Sequence, residues 1–124
     1  VRVLLDSVIV IDQLNGVVEA EAYLERVLQH GAVSVVTRAE VLAGYSDDHW
    51  ASAADLLDSF PILGIDTAIA DVAARLRRDH RRFKLPDAFQ AAIAQRHGLQ
   101  LATRNTRDFP PERFPFVVVP YTVP

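Results

Sequence analysis

The sequence contains no cysteine. That excludes a disulfide framework, a thiolate nucleophile and a cysteine zinc site, and it fits a reducing cytoplasm, where the protein is expected to act. No apolar run approaches the ~20 residues that a bilayer span requires, so no membrane association is expected. No charged segment followed by an apolar stretch and a cleavage site opens the chain, so no signal peptide is expected either. Val1 in place of Met reads as a trimmed end or a start codon other than AUG. There is no glycine-rich phosphate loop and no G-x-S-x-G elbow. The four histidines, at positions 30, 49, 80 and 97, lack ligand spacing and read as surface or cap residues. The only lysine is Lys84, and the net charge of −3 argues against a surface that binds polyanions all over, while leaving room for a local basic patch.

The 124 residues, 50% hydrophobic and 23% charged, are expected to form one domain over 1–124 with a substantial core. Apolar spacing alternates between two periods. Val3 to Asp6 reads as a strand, followed by a short helix to about Leu14. Ala20, Tyr23, Leu24, Val27 and Leu28 have helical spacing, with Gly31 as a stop. Ala32 to Val36 is a β-branched strand, and Thr37 opens a helix that Gly44 ends. A helix through Trp50, Ala53, Ala54 and Leu57 runs to Pro61. Ile62 to Ile65 is a strand, and Asp66 starts a long helix carrying Ile69, Val72, Ala73 and Leu76. Pro86 opens a helix that Gly98 ends. Leu99 to Thr103 and Phe116 to Val119 are the last strands. Alternating strands and helices imply an α/β fold with a mostly parallel sheet covered on both faces.

Asp6 is the anomaly. It lies in apolar text, "VRVLLDSVIV", where an ionised carboxylate costs several kcal/mol or more unless it is paired or metal-bound. Ligands in open α/β sheets bind beyond the carboxyl ends of the strands. Asp6 ends the first strand, Glu40 follows the second by a turn, Asp87 begins a helix, and Asn105 and Asp108 follow the fourth strand. Converging carboxylates repel unless a cation sits among them, and hard oxygen donors suit Mg²⁺, or Mn²⁺. Ordinary readings compete. Thr37-x-x-Glu40 matches a capping box, Pro86-Asp87 is a typical first helical turn, and Asp108 before Phe109-Pro110 suits a turn. Asp47 and Asp66 read as helix starts, and Asp12 as a solvated or capping acid. A phosphotransfer domain fits poorly, since Val8 stands where a second Asp is wanted and no lysine falls on a late strand.

The segments "LLDSVIVID", "VVTRAEVLAG", "LPDAFQAAIA" and "LATRNTRDF", in that order, resemble the PIN-domain ribonucleases, and most nearly the VapC-type toxins of bacterial toxin–antitoxin pairs. The resemblance covers essentially the whole chain. It implies a three-layer α/β/α sandwich and a Mg²⁺-dependent endoribonuclease. It implies Asp6, Glu40 and Asp87 as acidic metal-site residues, with Asp108 or Asn105 completing the site and Thr103 orienting the last group. Where the family shows Thr and then Ser or Asn after the first Asp, this chain has Ser7 and Val8, so one outer hydrogen bond is expected to be missing. Asn105 is expected to orient water or substrate and to tolerate Asp, with Asp108 acting through water. The resemblance further implies a VapB-type antitoxin, whose Arg would compete with metal, and a homodimer. Partner-binding apolar surface is expected around Tyr23, Leu24 and Leu42. The competing class is a catalytically weak interaction module whose acids bind a partner's Arg.

Six of the thirteen Lys and Arg residues fall between Arg75 and Lys84. Arg75, Arg78 and Arg82 share one helical face, read either as a solvated face or as a patch for RNA phosphates. Arg38, Arg104 and Arg107 adjoin the site residues in sequence and are the expected contacts to the scissile phosphate.

Overall fold

A computed structural model describes residues 1–124. The elements are β1 (Val3–Leu5), α1 (Ser7–Leu14), α2 (Val18–Val27), β2 (Gly31–Ser34), α3 (Val35–Ala43), α4 (Asp47–Asp58), β3 (Ile62–Leu63), α5 (Thr67–Asp79), α6 (Leu85–His97), β4 (Gln100–Ala102) and β5 (Val117–Val118). The five strands form one sheet in the order β3-β2-β1-β4-β5. Every neighbouring pair is parallel.

Side chains on a strand alternate between faces, and β1 shows the consequence. Leu4 joins a core with Ile69 and Ala73 of α5 and Ala88 and Ala91 of α6. Val3 and Leu5 join a second core with α1, α2, α3 and α4. The sheet is therefore covered on both faces, and the expected three-layer α/β/α sandwich is what forms. Helix α6 is alanine-rich on its buried side, with Ala88, Ala91, Ala92 and Ala94 all buried. Small side chains let its backbone lie close to the sheet and to α5.

Three local expectations change. Gly31 does not stop α2 but starts β2. A Cβ there would meet the Val27 carbonyl at 3.1 Å and the Phe60 ring at 3.3 Å, so the glycine serves a close approach. Thr37 does not open α3. Ser34 is the N-cap, its hydroxyl accepting from the Thr37 N–H at 3.0 Å, so Glu40 has no capping duty. Tyr23, Leu24 and Leu42 are not exposed but belong to the second core. The apolar side chains left in solvent are others, including Val18, Leu28, Trp50, Ile65 and Leu85. Other features hold. Asp66 caps α5 by accepting from the Ile69 N–H at 2.8 Å. Gly98 ends α6 with φ 64°, the left-handed conformation that glycine adopts without strain. No helix is long and apolar enough to cross a membrane.

Candidate active site

Strand β1 has β2 on one side and β4 on the other. Chain connections diverge at such a point, and a crevice opens beyond the strand ends. Asp6 stands there, directly after β1, as the N-cap of α1. An Asp in that place commonly caps the helix, yet its carboxylate makes no capping bond. It faces inward and is 6% exposed. Oδ2 accepts from the Thr103 hydroxyl at 2.7 Å, and Oδ1 accepts from Gln90 Nε2 at 3.1 Å.

Gln90 is the centre of a buried network. Its Nε2 also donates to the Thr37 hydroxyl at 2.8 Å, and its Oε1 accepts from the Ser34 hydroxyl. Thr37 in turn donates to the Leu5 carbonyl at 3.3 Å. Residues of β2, α3, α6 and the end of β1 are thereby tied to one carboxylate. Sequence reasoning missed Gln90. The available signal was its place three residues after Asp87, on the same helical face, as a lone amide among apolar and alanine residues. Thr103 is expected to orient the last group of the site, and its hydroxyl does accept from the Asn105 N–H at 2.9 Å. It also donates to Asp6, joining the first acid to the loop after β4.

The remaining acids converge on this point electrostatically. The Glu40 carboxyl is pushed above its ordinary value by burial, then by the charges of Asp6 and Asp87, with the Ser7 hydroxyl partly offsetting them. Asp87 is raised by burial and by the charges of Asp108 and Asp6, although the Lys84 backbone and ammonium oppose the rise. One Asp87 oxygen accepts from the Lys84 N–H at 3.1 Å, so this acid also caps α6. Asn105 Nδ2 donates to Asp108 Oδ2 at 2.8 Å, and the Asp108 N–H donates back to Asn105 Oδ1 at 3.3 Å. Asn105 thus holds Asp108, a partner that the expectation of a tolerated Asp at 105 does not include. A carboxylate there would lose the donor and repel its neighbour.

The donors here are hard oxygens, with no sulfur or imidazole among them, and their charges oppose one another. This chemistry fits a hard divalent cation. No group of three or more acidic or histidine side chains stands close enough to cage an ion unaided. Such a cation would need water or phosphate oxygens to complete its shell, the usual habit of Mg²⁺.

Two of the three expected phosphate-binding arginines are engaged elsewhere. Arg104 holds Asp12 with Nε–Oδ2 at 2.7 Å and a second nitrogen to Oδ1 at 2.9 Å. Arg38 pairs with Asp58 at 2.8 Å on the surface. Asp12 is therefore not a solvated acid: it is 6% exposed and also accepts from the Tyr121 hydroxyl at 2.7 Å. Of the three arginines only Arg107 makes no ion pair.

Residues 3–111 match the family model described as PIN domain. The chain is 37% identical over 128 residues to Ribonuclease VapC10 of Mycobacterium tuberculosis, covering 98% of this chain and 95% of that protein. Among solved structures it is similar to a toxin-antitoxin complex from Klebsiella pneumoniae, with 38% identity, a TM-score of 0.86, and 98% and 99% of the two chains covered. FitAcB from Neisseria gonorrhoeae shares the fold, with 24% identity and a TM-score of 0.77 over 98% and 99% of the chains. With four acids gathered beyond the strands of such a sheet and these likenesses over nearly its whole length, this chain belongs to the PIN-domain family.

Proposed function

We propose that this protein is a metal-dependent endoribonuclease toxin that hydrolyses RNA phosphodiester bonds in the cytoplasm and is neutralised by a VapB-type antitoxin. The observation that carries the proposal is the buried Asp6 carboxylate, held by Gln90 and Thr103 beyond the end of β1, with the charges of Asp6, Asp87 and Asp108 acting on Glu40 or on one another. The ribonuclease relative and the toxin–antitoxin neighbour support it. Asp6 and Asp87, with Glu40 and Asp108 nearby, would hold Mg²⁺ or Mn²⁺. The chemistry such a cation would supply there is a lowered pKa for the attacking water and charge stabilisation at the leaving oxygen.

The chain's own residues prepare that chemistry. Gln90 and Thr103 fix both oxygens of Asp6, so no reorganisation is needed when charge develops. Asn105 holds Asp108, whose charge acts on Asp87. Asn105→Ala is therefore expected to slow single-turnover RNA cleavage about tenfold while costing about 1–2 kcal/mol of stability, from two lost hydrogen bonds to Asp108. Cleavage kinetics beside thermal melts check both halves.

The homodimer belongs to this reading. Val35, Ala39, Ile65, Leu85, Pro86 and Phe89 line an open apolar groove bordered by Glu40, and a second copy packed there would cover it. For the antitoxin, a groove beside α2 and α4 is lined by Leu28 and Leu56 with Glu21 and Glu25, over the core residues Leu24 and Phe60. It suits the apolar face of a partner helix with basic flanks. The test of the function is RNA cleavage by the purified protein. Cleavage is expected with Mg²⁺, is lost in chelator and is lost again on adding the antitoxin. Intact RNA with both Mg²⁺ and Mn²⁺ would leave the acids as a docking site for a partner's Arg.

A further inference from the structure

A second cluster involves the loop that carries Asp108. Arg82, Arg107 and Arg113 line one cavity of about 430 Å³ with Thr106, Pro110 and Glu112. No lining residue is hydrophobic. The chain's three ion pairs all lie elsewhere, so three guanidinium groups face a single carboxylate that pairs with none of them. Arg82 also donates to the Arg107 carbonyl at 3.3 Å, which ties the segment after α5 to the loop after β4. Like charges gathered without partners repel, and an anion between them relieves that repulsion.

We propose that this arginine cradle binds a backbone phosphate of the RNA flanking the one that is cut. The inference rests on the ribonuclease reading and extends it. A polyanion approaching an acidic site on a chain of net charge −3 needs positive charge beside that site. Arg38 and Arg104 do not supply it, since each is held by an aspartate. The loop from Asn105 to Arg113 supplies it: Asn105 and Asp108 are bonded to one another, while Thr106, Arg107 and Arg113 line the cradle. Guanidinium forks match phosphate oxygens in pairs. Strands crossing the acids would thus be gripped next to them without base readout.

The experiment compares Arg107→Ala/Arg113→Ala with Arg26→Ala/Arg96→Ala, which removes equal charge from exposed positions on α2 and α6. Single-turnover cleavage of a mixed-sequence single-stranded RNA is measured alongside binding of that RNA in chelator, in an Asp6→Asn background. The cradle pair is expected to weaken binding at least about tenfold and to place its cleavage loss on KM rather than kcat. The slope of log affinity against log salt should fall by about 0.7 for the lost phosphate contact. The control pair should change neither slope nor KM. Equal losses from both pairs, or none from either, would overturn the cradle. So would a cradle pair that weakens antitoxin binding and leaves RNA binding intact. If wild type cleaves no RNA, the ribonuclease reading falls, and the binding arm still decides whether the cradle holds RNA.

Discussion

Asp6→Asn is expected to slow RNA cleavage by at least about a thousandfold and to leave the metal-free protein no less stable than the wild type. A thousandfold is about 4 kcal/mol of transition-state stabilisation, within what a bound cation supplies. Both neighbours of Asp6, the Thr103 hydroxyl and Gln90 Nε2, are donors, and only a carboxylate accepts on every lone pair. The amide keeps the shape but loses the charge and turns one donor against another, a loss of about 1 kcal/mol. Against that loss, the Asp6 charge is one of the causes that raise Glu40 and Asp87, and its removal relaxes that repulsion. Metal reads the same site from the other side. Mg²⁺ at a hundred times its dissociation constant should stabilise the wild type by about 2.7 kcal/mol, and the variant by little. Cleavage within tenfold of wild type would remove Asp6 from the chemistry. A melting temperature in chelator several degrees below wild type would make it a structural acid.

Asp12→Ala is expected to lower stability by about 2–3 kcal/mol, or roughly 10 °C in melting temperature for a domain of this size. Removing one partner of a fully buried pair costs about 3–5 kcal/mol. The Arg104 side chain keeps 30% exposure, which reduces that figure. The loss should reach the active site, because Arg104 adjoins Thr103, which holds Asp6. Tyr121 loses its acceptor at the same time, loosening the segment after β5. The pH dependence has a definite sign. Burial raises the Asp12 pKa, but the hydrogen bonds from Arg104 and Tyr121 and the Arg104 charge outweigh it and hold the carboxyl below 3.8. A carboxyl with a lowered folded pKa contributes stability that is present above its unfolded value and is lost as pH falls through the folded one. The gap between wild type and Asp12→Ala should therefore be constant at neutral pH and should narrow below about pH 4. Chemical denaturation across that range measures it. A gap that widens on acidification would contradict the assignment.

Much of this site could be read along the chain because its acids occupy punctuation points. Asp6, Asp87 and Asp108 fall where a strand ends, a helix begins and a turn closes, and an acid out of keeping with apolar neighbours is visible locally. What escaped were the residues whose meaning depends on a distant partner. Gln90 and Asp6 are bonded across 84 positions, and Arg104 and Asp12 across 92. Nothing near Asp12 reveals that an arginine will bury it, so it reads as a solvated acid, and nothing near Arg104 reveals that its fork is taken.

Alternation of period two and period 3.6 determined, from sequence alone, an α/β chain and nearly every element, since backbone geometry dictates which positions share a face. Composition likewise excluded cysteine chemistry. Tertiary structure alone decided which faces were covered and which charges were free. The apolar positions at Tyr23, Leu24 and Leu42 went into the core, while Leu28 and Leu85 stayed outside. Of the three arginines beside the acids, two found aspartates and the third joined Arg82 and Arg113. A charge pairs with whatever the fold brings near it, and that proximity is a property of the packed sheet rather than of any stretch of the chain.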